Sequence, residues 1–224
     1  MNKEFIWNYL TKKNRCLLNY NYPSKKPIFE LIKLVNDRLY LWGAEGYQLY
    51  TTVRDVCVKK KGNLAEVGCY LGGSTMLISK AKGNNTLYVF DTFEGLPEVR
   101  SIDKSKNKWE CDFFKGEFKA DYKDVKNFLK KEKKVYIYKG IFPQKNKEII
   151  ENKKFIFVHL DVDIYSSTKD CLEFFYPRME SGGVILSHDY STAKGVRKAF
   201  DEFFKDKLES VFELAGSQCM VVKK

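Results

Sequence analysis

From Ile28 to about Lys60 apolar residues recur at helical spacing. Phe29, Ile32, Val35 and Leu39 form one set and Tyr50, Val53 and Cys57 a second, with a break around Gly43–Gly46. This predicts two helices covering whatever follows. Then the period changes. Leu64–Cys69, Thr86–Phe90, Val135–Tyr138, Phe155–Leu160 and Val184–Ser187 are short apolar runs that read as buried strands, Phe155–Leu160 most clearly. Helical patterns lie between and after them over Gly72–Lys82, Tyr122–Lys131, Lys145–Glu151, Ser167–Met179 (capped by Ser166 or Ser167 and stopped near Pro177) and Ala193–Lys205. Val211–Leu214 and Cys219–Val222, separated by a glycine turn, predict a final antiparallel hairpin. Strands alternating with helices imply an α/β fold with a doubly wound, mainly parallel, seven-stranded sheet. One domain over 28–224 follows, with 28–60 as covering helices and 1–27, closed by Pro23 and Pro27, as an appendage that leaves a homo-oligomer arm open. Residues 95–120 show no clear period and are too long to be idle, so a lid or binding loop is expected there.

Composition narrows the class. Hydrophobic residues make up 44% and aromatics 15% of 224 residues, enough for a large core, which excludes global disorder. No apolar run approaches the ~20 residues of a membrane span, and the charge-broken start lacks a secretory apolar core, so a cytoplasmic protein is expected. Six cysteines without a C-x-x-C pair argue against zinc and a disulfide framework. A net charge of +11 raises nucleic acid as a partner, but the lysines are spread along the chain among 29 acids, so a solvated basic surface is the better reading. Such a surface helps to attract an anionic, phosphate-bearing substrate.

Doubly wound sheets bind ligands at the carboxyl ends of their strands, so the residues after each strand carry the chemistry. After the first come Glu66, Gly68, Gly72, Gly73 and Ser74, spaced G-x-x-x-G-G rather than the G-x-G-x-x-G of dinucleotide binders. A ligand with an amino-acid end fits such a turn, its carboxylate near backbone amides and its ammonium near Glu66. A plain tight strand–helix turn would show the same spacing. Asp91 ends the second strand, placed to accept both hydroxyls of a ribose or to make an Asx turn.

His159, Asp161 and Asp163 follow one another by two at the end of the fourth strand, and alternation puts them on one side. The fifth strand ends in His188 and Asp189. Neighbouring carboxylates repel unless a cation or a shared proton relieves them. Asp161, His188 and Asp189 therefore point to a divalent ion, magnesium or manganese, the alternative being a hydrogen-bonded acidic cluster. His159, inside an apolar strand, reads as a core histidine.

Taken together, Leu64 to Ser74, "VFDTFEGLPE", "YKGIFPQ", "FVHLDVDIYSSTKDCLEFFYPRM" and "GGVILSHDYSTAKGVRKAFDEFF" resemble the macrocin O-methyltransferase family over about residues 36–204. The resemblance implies a Rossmann-like class I methyltransferase fold, S-adenosylmethionine, a divalent metal and a sugar-type acceptor. It implies Glu66, Gly68, Cys69, Tyr70, Gly72, Gly73 and Ser74 at the methionine end of the cofactor. Asp91, Thr92, Phe93, Gly140 and Asp161 would complete the cofactor site. Asp161, His188 and Asp189 would hold the metal, and Asp163 would be the general base beside Asp161. One departure stands out: the family's metal pair is usually Asp-Asp before Tyr, and here it is His188-Asp189. Catechol-type O-methyltransferases place a lysine three residues after the first aspartate, where this chain has Ile164.

The implied chemistry fits a sugar hydroxyl, whose high pKa makes it a poor nucleophile until it is polarised and loses its proton. Rival readings are a nucleic-acid methyltransferase or RNA-binding module, a nicotinamide-dependent oxidoreductase on the same fold, a catechol-like acceptor and a catalytically silent scaffold. Trp109, Phe113, Phe114 and Phe118 in the 95–120 segment serve either a lid that excludes water or the loop's own small core.

Overall fold

Phe155–Leu160, fully buried along its length, runs through the middle of a seven-stranded sheet. The computed structural model describes residues 24–105 and 107–224. Its strands are β1 (Asn63–Val67), β2 (Thr86–Asp91), β3 (Val135–Lys139), β4 (Phe155–Leu160), β5 (Met179–Ser187), β6 (Phe212–Glu213) and β7 (Cys219–Val222), in the order β3-β2-β1-β4-β5-β7-β6. The first five pair in parallel, while β7 lies antiparallel to both β5 and β6. The order reverses between β1 and β4, the switch point at which a doubly wound sheet opens a crevice.

Helices cover both faces. On one side lie α1 (Lys26–Leu34), α2 (Gly43–Lys59), α3 (Gly73–Ala81) and α4 (Tyr122–Leu129), packing Leu49, Val53, Leu77 and Val125 onto Leu64, Leu87 and Phe157. On the other lie α5 (Tyr165–Phe175) and α6 (Lys194–Phe204), packing Leu172, Phe175 and Phe200 onto Val67, Phe90 and Val158. Phe142 stacks on Phe175, and Phe155 meets the edge of the same ring. Each such side chain, fully buried, contributes about 1.5–3 kcal/mol. No helix among the described residues is long and apolar enough to cross a membrane.

Several boundaries differ from expectation, each for a local reason. The helical break lies before Gly43, not around Gly43–Gly46: Gly43 opens α2, where Glu45 caps the Trp42 N–H, and Gly46 lets Leu39, Ile32 and Leu77 close in. Pro27 sits in the first turn of α1 instead of closing an appendage, and residues 1–23 lie outside the described residues. Lys145–Glu151 forms only the 3₁₀ turn Lys147–Ile149, because Asn146 is left-handed at φ 68°. Neither Ser166 nor Ser167 caps α5. The Tyr165 N–H is instead accepted by Asp103 from the 95–120 segment at 2.7 Å. Pro177, lacking an N–H, turns the end of that helix into 3₁₀ geometry. The fifth strand starts at Met179, with a register irregularity beside Phe155.

Candidate active site

The carboxyl ends of β1, β2, β4 and β5 open into one cavity of about 530 Å³, within the ~300–1,000 Å³ of ordinary ligand sites. Its first wall is the turn between β1 and α3. Gly68 sits at φ +85°, and any side chain there would overlap the Asp161 carbonyl, so only glycine lets the two strand ends approach. Asp91 ties this turn down. One of its oxygens accepts the N–H groups of Cys69 and Tyr70 at 2.8 and 2.9 Å, the other that of Phe93 at 2.7 Å. Burial raises the Asp91 carboxyl above the usual range, and these three N–H bonds pull the other way. The Asx turn and a ligand-facing position are thus both realised, since Asp91 also lines the cavity.

The opposite wall is acidic. Asp161, His188 and Asp189 each offer one ligand atom, all within 4.8 Å of one another. His188 Nδ1 lies 3.0 Å from Asp189 Oδ2 and 3.4 Å from Asp161 Oδ1. Asp163 and Asp189 both adopt left-handed backbone, at φ 61° and 59°. This conformation is unusual for a non-glycine residue and typical of strained site loops. Burial, then the charges of Asp189 and Asp161, push the Asp163 carboxyl well above its ordinary range, and it shares its proton with Asp189. Burial also opposes the charge on Asp189, but His188 more than offsets this and holds that carboxyl at about 2. Burial likewise opposes protonation of His188, which Asp189 and Asp161 nonetheless favour, raising its affinity for a proton.

Of the residues expected at the site, Gly68, Cys69, Tyr70, Ser74, Asp91, Thr92, Gly140, Asp161, Asp163, His188 and Asp189 line this cavity. Glu66, Gly72, Gly73 and Phe93 do not. Glu66 is a correction to the ammonium contact: its carboxylate is turned behind the glycine turn, fully buried, where it meets the Thr75 hydroxyl and His159 Nδ1. Gly72 and Gly73 form the start of α3 against Leu129 and Arg38, and Phe93 is a core residue. His159 does not share a side with Asp161 and Asp163, since alternation stops with β4; it is a core histidine, as read.

Residues 47–213 match the family described as Macrocin-O-methyltransferase (TylF). This chain belongs to that family. It is 27% identical over 142 residues to the 8-demethyl-8-(2,3-dimethoxy-alpha-L-rhamnosyl)-tetracenomycin-C 4'-O-methyltransferase of Streptomyces olivaceus, covering 58% of this chain and 53% of that protein. It is 25% identical over 158 residues to the demethyldecarbamoylnovobiocin O-methyltransferase of Streptomyces niveus, covering 63% of this chain and 58% of the relative. The chain thus spans little more than half the length of each. The solved O-methyltransferase NovP superposes with a TM-score of 0.66 at 19% identity, over 97% of this chain and 88% of NovP, a likeness of fold.

Within this chain, sequence reasoning missed one group of cavity residues altogether. Arg38, Tyr40 and Trp42 precede α2 and reach the mouth of the cavity, where Phe118 meets the edges of both Tyr40 and Tyr70. Their signal was present as a polar–aromatic run between two helices, but only tertiary packing brings it over the strand ends. The four aromatics of the 95–120 segment divide. Phe113 joins the main core, Phe118 half-buries at the cavity mouth, and Trp109 and Phe114 are exposed.

Proposed function

We propose that this protein transfers the methyl group of S-adenosylmethionine to a hydroxyl of a sugar, with a divalent cation held by Asp161, His188 and Asp189. The observation that carries the reading is that convergence of ligand atoms, set across one cavity from the glycine turn and Asp91. Family membership supports the methyl donor, and the Streptomyces olivaceus relative, named for a rhamnosyl compound, supports the sugar. Two carboxylate oxygens and one imidazole nitrogen suit manganese and other transition ions better than magnesium, which prefers an all-oxygen shell. The domain unit is taken as residues 28–224.

A bound cation supplies Lewis acidity that lowers the proton affinity of an acceptor hydroxyl, and the sulfonium donor supplies an electrophilic methyl. The chain's own residues do the rest. Gly68, Cys69, Tyr70 and Ser74 hold the amino-acid end of the donor, and Asp91 accepts its ribose hydroxyls with the lone pairs left over from the three N–H bonds. Asp163, on the cavity wall beside Asp161, is placed to take the hydroxyl proton in its ionised form. Residues 95–120, held by Asp103 and by the Cys111 N–H to Thr192 carbonyl bond, act as the lid that keeps water from the reacting atoms.

The test is release of S-adenosylhomocysteine from a panel of nucleotide-sugars and simple catechols, after chelation and with manganese or magnesium restored. Turnover of a sugar, faster with manganese, is expected. Turnover of catechols alone overturns the sugar reading, and turnover indifferent to chelation overturns the cation.

A further inference from the structure

His188 uses both ring nitrogens. Nδ1 faces Asp161 and Asp189, whereas Nε2 lies 3.1 Å from Glu45 Oε2. Glu45 sits in the first turn of α2 and is fully buried. Every part of its carboxylate is engaged. Oε1 accepts the Ser217 N–H at 2.7 Å and the Ser217 hydroxyl at 2.9 Å, and Oε2 accepts the Trp42 N–H at 2.9 Å. The loop before β7 is shaped around it: Gly216 has φ +91°, and a side chain there would run into the Glu45 carboxylate.

A helix cap alone does not explain this. The Trp42 N–H could be satisfied by an exposed glutamate, while burying a carboxylate costs several kcal/mol unless its lone pairs are filled. Here two segments distant in sequence, Trp42–Glu45 and Ser217, converge to hold one carboxylate rigidly against one edge of an imidazole. A carboxylate has only lone pairs to offer, so the nitrogen facing it must carry the hydrogen. The same rule holds for Nδ1 beside Asp189, so it is a cation seated between Asp161 and Asp189 that would take the place of that hydrogen and receive the Nδ1 lone pair, while Nε2 keeps its hydrogen toward Glu45. Metal-ligating histidines depend on such a partner for tautomer and ring orientation.

We infer that Glu45 is a positioning residue that holds His188 with Nε2–H toward itself and Nδ1 toward the cation. The inference rests on the cation reading above. A carboxylate at position 188 would need no tautomer fixed, but an imidazole does.

Three variants of the full chain, Glu45→Gln, His188→Asp and the two combined, are titrated with Mn²⁺ by electron paramagnetic resonance, with S-adenosylhomocysteine affinity measured by calorimetry alongside. Glu45→Gln should weaken Mn²⁺ about 10–100-fold, the range for lost partners of metal ligands, and should perturb the ¹⁴N coupling of the bound ion. S-adenosylhomocysteine affinity should hold. In the His188→Asp background the same change should cost Mn²⁺ affinity almost nothing, because no imidazole remains to orient. An equal loss in both backgrounds, or none in either, overturns the role of Glu45. Wild-type protein that binds no Mn²⁺ overturns the cation reading as well. The protein has two histidines, so ¹⁵N spectra of the unaltered chain give a test that needs no variant. With zinc as a diamagnetic stand-in, His188 should keep its Nε2–H while its Nδ1 resonance shifts; an Nδ1–H tautomer in the zinc-loaded protein overturns the inference.

Discussion

Two corners of this molecule bury acidic side chains, and they treat them differently. Near the C-terminus Glu209 is 5% exposed, and its carboxylate takes the Lys223 ammonium and the Tyr176 hydroxyl, each at 2.7 Å, together with the Lys224 N–H. The chain supplies the cation. At the ends of β4 and β5, Glu45, Asp161, Asp163 and Asp189 gather about a single imidazole. Arg38, the basic residue lining that cavity, is committed to Asp124 at 2.7 Å. A structural carboxylate brings its partner with it. Carboxylates gathered beyond what the chain can neutralise mark a place prepared for something else.

The sharpest way to break that contrast is to remove a carboxyl from the crowded corner. Asp163→Asn should lower kcat by about 10²–10⁴-fold, the usual contribution of a general base, while Mn²⁺ and S-adenosylhomocysteine affinities stay within a few-fold. Steady-state rates beside the two titrations decide this. Collapse of Mn²⁺ binding would instead make Asp163 part of the ion's coordination, and its charge a ligand's charge.

A smaller effect is expected at Asp91, a half-buried acid of a third kind that backbone N–H groups satisfy. Asp91→Asn should weaken S-adenosylhomocysteine by about 1.5–3 kcal/mol, the scale of hydrogen bonds to a charged group. An amide nitrogen would also confront the N–H groups of Cys69 and Tyr70, so part of the loss should reappear as lower stability without ligand. Calorimetry and thermal melts on the same two proteins separate the shares. Unchanged affinity would make Asp91 purely a tie for the glycine turn.

Much of this arrangement was legible in the sequence because it obeys short-range rules. Apolar period gave β1 to β5, and the residues immediately after those strands became the cavity wall, since strand ends are where a doubly wound sheet opens. What escaped was long-range. Glu66 looked like a ligand group by its position at a strand end, yet register sets it beside His159 and turns it inward. Glu45 gave no signal, being one glutamate in the first turn of a helix, and its meaning depends on His188, 143 residues away. The start of α5 was assigned to a serine cap, while the actual acceptor, Asp103, lies 62 residues upstream. Neither contact leaves a local pattern.

The mildest test concerns the satisfied corner. Burial works against the Glu209 charge, but Lys223, Tyr176 and the Lys224 N–H outweigh it and hold the carboxyl at about 2, below the ordinary 4.5. A depressed acid pKa means that the unfolded chain binds the proton first as pH falls. The stabilisation is therefore complete above about pH 4.5 and drains away as pH drops toward 2. Lys223 is 23% exposed, so water screens the pair, and about 1 kcal/mol is the reasonable scale. Glu209→Gln should accordingly unfold more easily than the unaltered chain at pH 6–7, by about 2–4 °C in Tm, and the gap should narrow as pH falls through the acid range. Denaturation series at several pH values read this directly. A gap that stayed constant with pH would mean that Glu209 works through packing, and that its charge is no better matched than those at the strand ends.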